Sequence, residues 1–453
     1  MCAEPLNDYL FKEAPLMNEY PNSVKQNLTS IIALMAKEPD PFVKNPGKDF
    51  SRNRKLPFET VVQFLISMGG NSIYKELLET QGYNFDNVTA SAFIQQRDKI
   101  LPYAFEFLLH EFTQTFHDTI EYREYRLLAI DGSDLLIAHD PNNPDTYYQN
   151  RPGEKGFNML HLNAMYDLCN KLYVDVLIQP SRCMNERKAL TEMVKRSTIA
   201  GNVIVVADRG FESYNNFAHI ENKGWNYLIR VKNSDSNGIL STLRLPINEE
   251  FDISIHRILT RTQAKEIIAH PDIYRFLPTN VNFDFFDLHA NMFYPISFRV
   301  VCFKVTDDSY ETVITNLNQS DFPPDELREI YRKRWGIETS FRELKYAVGL
   351  TCFHAKKQEY IIQEIFARII TYNFALMITS HVIILQTDTK HIYQVNFTVA
   401  IHICRNFLRL SNNISPPDVE AMLRKNILPV RSGRKSERKI RRRKAVSFVY
   451  RVA

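Results

Sequence analysis

Residues Ile330 to Val348 read IYRKRWGIETSFRELKYAV. The stretch has no Pro, one Gly and many strong helix formers, and predicts one continuous helix. At roughly 100° per residue, Ile330, Ile337, Phe341, Leu344 and Val348 fall on one core-facing stripe. Beside that stripe, within an arc of roughly 80°, lie Tyr331, Arg334, Glu338, Arg342 and Lys345. Two readings compete for this second row. It is a surface salt-bridge ladder, Arg334–Glu338–Arg342, or a carboxylate that holds a metal while its cationic and phenolic neighbours hold a polyanion.

The second reading needs further carboxylates upstream. Tyr125–Ile130 predicts a strand, and Asp131-Gly-Ser follows it. Asp134 is the competing acid and is assigned to the next segment. Leu160–Tyr166 and Leu172–Ile178 read as a hairpin, Glu186–Thr198 as a helix after Asn185, and Val203–Ala207 as a buried strand ending in Asp208-Arg-Gly-Phe. Ser213 can cap a helix running to about Asn222, and Trp225–Val231 is a further strand. A strand followed by Asp is on its own more often a turn or cap than a ligand. Two of them, with Glu338 arriving on a later helix, favour a three-carboxylate set of Asp131, Asp208 and Glu338. The order of elements is compatible with a ribonuclease-H-like core, an α/β fold in which a mixed sheet carries helices on both faces.

Around this core the chain divides by composition. Residues 1–123 show few β-type runs. Helices are expected at Phe58–Met68, at Ile73–Thr80 after Ser72, and from Thr89 or Ser91 toward Leu101. Basic groups at Ser51–Lys55 and Gln95–Lys99 make this a candidate helix-turn-helix-like DNA reader, although a plain helical bundle gives the same pattern. Residues 124–232 form the first part of the core and 311–350 the second. Between them, 233–310 are rich in β-formers and aromatics. Residues 351–453 carry helices at Glu359–Leu385 and Phe397–Leu410, then a basic tail with nine Lys/Arg and one Glu between Arg431 and Lys444. That tail accounts for more than the whole net charge of +4, and it suits phosphate backbones or a solvated terminus.

Composition is that of an ordinary globular chain, 44% hydrophobic and 24% charged. No apolar run reads as a signal peptide or a membrane span, and no membrane partner is expected. Six scattered cysteines suggest reduced thiols in a cytoplasm, with neither a zinc site nor a disulfide framework.

Tyr331, Arg334, Glu338 and Lys345 match Y-x2-R-x3-E-x6-K. With Asp131-Gly-Ser and Asp208-Arg-Gly, the chain resembles bacterial DDE transposases of the insertion-sequence-four family, which includes the transposon-five and transposon-ten enzymes. The resemblance runs from about Ser51 to the tail. It implies a ribonuclease-H-like catalytic core interrupted by a β-rich insertion, with helical N-terminal DNA-binding and C-terminal regions. It implies cut-and-paste cleavage at terminal inverted repeats and strand transfer into target DNA, using two magnesium ions, with manganese as a substitute. Asp131 would bridge both ions, and Asp208 and Glu338 would hold one each. Tyr331, Arg334 and Lys345, with Arg342, would grip phosphates. Arg230 and Lys232 would contact DNA as the family's R-x-K segment does. An aromatic residue of the insertion (Phe285, Phe286, Phe293 or Tyr294) would stack on a flipped base. The partners implied are double-stranded DNA and a second copy of the chain, as a homodimer on DNA in a bacterial cytoplasm, at the nucleoid. The competing readings are a transposase-derived DNA-binding protein without catalysis, and a nuclease that cuts without joining.

Overall fold

The computed structural model describes residues 17–430, apart from positions 53, 81, 84–86, 118, 233–237, 248, 287–291, 307–308, 385–390 and 411–413. The basic stretch Arg431–Lys444 lies outside the described residues. In chain order the helices begin with α1 Glu19–Lys37, α2 Phe58–Ser67, α3 Ile73–Thr80, α4 Ala90–Arg97 and α5 Tyr103–Gln114. Then come strands β1 Tyr125–Ile137, β2 Tyr147–Tyr148, β3 Phe157–Asp167 and β4 Leu172–Pro180, helix α6 Glu186–Arg196, strand β5 Asn202–Ala207, helix α7 Tyr214–Asn222 and strand β6 Asn226–Arg230. After them follow β7 Phe251–Thr260, α8 Lys265–Ile268, β8 Tyr274–Phe276, β9 Phe293–Thr306, β10 Ser309–Thr315, α9 Pro324–Lys333, α10 Trp335–Glu343, α11 Gln358–Ser380, α12 Phe397–Arg409 and α13 Val419–Lys425.

The chain forms two compact units. The first joins residues from both ends: Met1–Gly69, Ile73–Thr115 and Phe366–Lys439. Within it Arg368, buried on α11, donates to the carbonyls of Met68 (2.7 Å) and Gly69 (2.5 Å), and so satisfies the open C-terminal end of α2. Arg409 pairs with the fully buried Glu76. Thr89 caps α4, accepting from the amide of Ala92. Of the basic groups considered for DNA contact, Ser51, Arg52, Arg54 and Lys55 are exposed, but Arg97 is completely buried. Arg97 is therefore a core residue, because α4 turns that face inward beside Phe93. Helix α11 is long and apolar enough to cross a membrane by length and composition, contrary to the sequence expectation. However, 94% of its apolar window is buried inside the fold.

The second unit holds the sheet. Its strand order is β2-β3-β1-β5-β6-β10-β9-β7-β8, with β4 pairing the far side of β3. β1, β5 and β6 are mutually parallel, whereas β3 and β10 run antiparallel to their inner neighbours. Alternation along the parallel strands loads both faces. Leu128, Ile130, Val205 and Tyr227 pack with Leu190, Met193 and Phe217 of α6 and α7. Leu127, Ile204, Val206 and Leu228 pack on the other side with Leu327, Ile330 and Tyr331 of α9. The β-rich region is continuous with this sheet, since β10 bonds β6 and is followed outward by β9 and β7.

Two sequence expectations need correction here. β1 does not end before Asp131; it runs on to Ile137, because antiparallel β3 pairs with it from Leu128 through Ile137. Asp134 accordingly stays on β1. The predicted single helix is three pieces: α9, α10 and a π-helical turn Leu344–Val348 that ends at Gly349 with φ 97°. Arg334 is the joint between the first two. Its amide bonds to the carbonyl of Tyr331 three residues back, rather than four. The core stripe survives both irregularities, and Ile330, Ile337, Phe341, Leu344 and Val348 are all buried.

Candidate active site

The parallel ladder between β1 and β5 stops at the pair Ile130–Ala207. The next residue on each strand is an aspartate, so Asp131 and Asp208 stand side by side where β5 runs out. Asp208 leaves the strand and turns back, accepting from the Gly210 amide at 2.6 Å. Asp131 stays in the sheet and accepts from the amide of Gly132 at 2.8 Å. Because Ile130 faces α6 and α7, alternation turns Asp131 toward the side of α9 and α10.

Glu338 arrives on that side from α10. Arg334, only 4% exposed, lies between the acids: its Nη2 donates to Glu338 Oε1 at 3.0 Å, and its Nη1 stands 3.8 Å from Asp131 Oδ2. The guanidinium also lies over the rings of Tyr331 (5.6 Å) and the exposed Trp335 (5.2 Å). Burial pushes the Asp131 carboxyl up to about 6. The Gly132 amide and Arg334 oppose that rise, and the charges of Glu338 and Asp208 add to it. Asp131 therefore feels the charge of both other carboxylates.

Tyr331 is buried, and its hydroxyl has no hydrogen-bond partner among the described residues; the Nε of Arg334 is likewise unpartnered. A buried polar atom left open in this way is costly unless something else completes it. Burial raises the Tyr331 phenol, and the nearby charges of Arg334 and Arg230 pull it back. Lys345, on the π-helical turn, donates to Ser133 Oγ at 2.7 Å and to the Asp134 carbonyl at 3.0 Å, tying the helix to β1.

The remaining candidates stand further out. Arg230, at the end of β6, pairs with Glu311 of β10 at 3.2 Å. Lys232 uses its backbone amide to reach Glu212 Oε2 at 2.9 Å. Arg342 is exposed on α10. Of the four insertion aromatics, Phe285, Phe286 and Tyr294 pack into a cluster with Phe283, and Phe293 is 40% exposed.

Sequence reasoning passed over two further residues. His161 of β3 is 4% exposed; its Nδ1 lies 2.7 Å from Asp134 Oδ1, and its Nε2 lies 3.2 Å from Glu186 Oε1. Burial alone would lower this imidazole, but the two carboxylates outweigh it and push it up to about 9. The only sequence signal was indirect: a glycine one residue after Asp131 and another two after Asp208.

A family profile described as the transposase DDE domain matches residues 122–374, more than half of the chain. The chain belongs to that family. The matched segment contains the sheet of this transposase domain and, within it, Asp131, Asp208 and Glu338. A solved structure, the piggyBac transposase synaptic complex with hairpin DNA, is similar at a TM-score of 0.46 and 12% identity, over 93% of this chain and 88% of that one. No curated protein matches the sequence.

DDE transposases generally use divalent metal ions. The residues here fit such an ion in kind: Asp131, Asp208 and Glu338 offer hard carboxylate oxygen donors, and Asp131, which feels the charge of both others, has a raised affinity for a proton. Among the described residues no group of three His, Cys, Asp or Glu is already drawn tightly enough to hold an ion. Arg334 occupies the gap between Asp131 and Glu338.

Proposed function

We propose that this transposase cleaves DNA at the terminal inverted repeats of its element and joins the freed ends to target DNA, as enzymes of the insertion-sequence-four type do. The observation that carries the reading is the place of Asp131, which stands beside Asp208 at the end of the parallel ladder and shares the Arg334 guanidinium with Glu338. The same reading takes the strand order β4-β3-β1-β5-β6, antiparallel at β3, as a ribonuclease-H-like core. It also takes Asp131 and Asp208 as ligands placed at the C-terminal edge of the parallel strands.

Asp131, Asp208 and Glu338 would hold two magnesium ions, which when bound activate the attacking oxygen and neutralise the leaving one. The protein's own side chains do the rest. Arg334 has its Nε free to donate to a phosphate oxygen, and its planar fork suits that anion. The Tyr331 hydroxyl offers a neutral donor from the floor of the site. Lys345 brings a positive charge to the Ser133–Asp134 stretch of β1. Arg230, Lys232 and Arg342 would grip the duplex backbone beyond the reacting phosphate. The exposed Phe293 is the insertion aromatic best presented to a base. Double-stranded DNA is the substrate, two copies of the chain act on two ends, and the compartment is the bacterial cytoplasm.

The test separates binding from chemistry. Glu338→Gln should retain binding to a duplex carrying the inverted repeat and lose strand cleavage and joining. Cleavage at the wild-type rate would remove Glu338 from the site. Cleavage without joining by the wild type would turn the reading into that of a nuclease.

A further inference from the structure

Glu186 is the first residue of α6, where an acid ordinarily does no more than face the helix N-terminus. Here Asn185 already caps the helix, accepting from the Lys188 amide at 3.0 Å. The Glu186 carboxylate turns instead toward Gly132, within β1, and toward Gly210, just past the end of β5. Its Oε1 is held 3.2 Å from the buried His161 imidazole, which is fixed on its other side by Asp134. A methyl group at Gly132 would collide with that imidazole and stand 2.7 Å from Glu186 Oε1. A methyl group at Gly210 would stand 3.2 Å from Glu186 Oε2 and 3.4 Å from Asp208 Oδ1. Arg187, next on the helix, donates to the Gly210 carbonyl at 3.1 Å. The carboxylate therefore fills the space between the residue after Asp131 and the turn that holds Asp208. This gives both glycines a physical reason: each lets the Glu186–His161 pair approach the backbone.

We propose that Glu186, clamped by His161, is a fourth carboxylate of the acid set, positioning the divalent cation that Asp131 and Asp208 would share. This rests on the metal-dependent reading above. Glu186 acts by position: paired with the His161 imidazole, it wedges the two aspartate-bearing segments at a fixed separation. His161 and Asp134 are positioning residues one step further back. A hard, strongly hydrated cation responds to such surroundings, because outer carboxylates orient its water ligands.

The measurement is Mn2+ binding by the full-length protein, read from the electron paramagnetic resonance of the free ion, with thermal unfolding of the metal-free protein alongside. Glu186→Gln keeps the side-chain volume and removes the charge. It should weaken Mn2+ binding about tenfold, with the unfolding temperature unchanged. His161→Gln should weaken binding similarly, and the double variant should add little to either, since the two act as one unit. Asp208→Ala is the reference for loss of the site. Wild-type affinity in Glu186→Gln, with binding lost in Asp208→Ala, would overturn this inference and leave the metal reading intact. Binding unchanged in both, or absent from the wild type, would overturn the metal reading and this inference together.

Discussion

Arg334 Nη2 donates to Glu338 Oε1 across 3.0 Å, from the joint between two helices to the next turn. The bond is more than a surface i,i+4 pair, because the arginine is 4% exposed and also faces Asp131. In the metal-free protein the guanidinium compensates two acids that would otherwise repel each other. Arg334→Gln should therefore destabilise the metal-free protein by about 1–3 kcal/mol, below the full cost of breaking a buried pair because Glu338 is partly solvated. Divalent cations should restore part of the loss. Thermal unfolding with and without magnesium checks this; equal stability of variant and wild type would mean the acids need no counter-charge.

Tyr331 predicts a split between stability and activity. Its buried hydroxyl makes no hydrogen bond among the described residues. Tyr331→Phe should leave unfolding unchanged or raise stability by up to about 1 kcal/mol. Single-turnover cleavage should fall at least about tenfold, because a donor to the reacting phosphate is lost. A variant both less stable and fully active would show that the hydroxyl serves the fold.

The raised Asp131 carboxyl predicts a pH dependence. Its folded value, about 6, lies above its ordinary value of 3.8, so the folded state holds this proton more tightly than the unfolded chain does. The metal-free protein should lose stability as pH rises between about 4 and about 6, toward a limit of roughly 3 kcal/mol. Asp131→Asn should thus stabilise the metal-free protein strongly at about pH 8 and little at about pH 4. Magnesium affinity should fall as pH drops below about 6, where the proton competes for the same oxygens. Chemical denaturation across this range reads the first effect and calorimetric titration the second; a flat difference between variant and wild type would contradict the assignment.

The two motif glycines should differ in tolerance. A methyl group at Gly132 runs into the His161 ring, which is held on both sides. Gly132→Ala should cost about 1–3 kcal/mol and most of the activity. At Gly210 the nearest atoms stand 3.2 and 3.4 Å away and belong to carboxylate ends. Gly210→Ala should cost less than about 1 kcal/mol. Parallel unfolding curves decide it, and equal effects would show that the Glu186–His161 pair does not set the local geometry.

Much of the local structure that carries the candidate site was legible, because it depends on near neighbours in the chain. The rows through Ile330 and Tyr331 follow from helical spacing alone, and the Asp208 strand is short, apolar and plainly bounded. What the sequence concealed is long-range. Gly132 and Ser133 look like a turn, but β3 pairs with β1 from Leu128 through Ile137 and carries the strand through them. No periodicity reports the joint at Arg334 or the π-helical turn, from which Lys345 bonds to Ser133 of β1. His161 is a lone histidine in an apolar strand, and Glu186 is an unremarkable acid at a helix start. Only the fold brings them together behind the two aspartates.

The most direct test is magnesium-dependent cleavage of labelled duplexes that carry the DNA on either side of this gene, where the proposed terminal inverted repeats would lie, with wild type beside Asp208→Ala. Cutting at the repeat boundary by the wild type, lost in the variant while duplex binding persists, is the result expected. Equal cutting by both proteins, or binding without cutting by the wild type in either magnesium or manganese, would contradict the account.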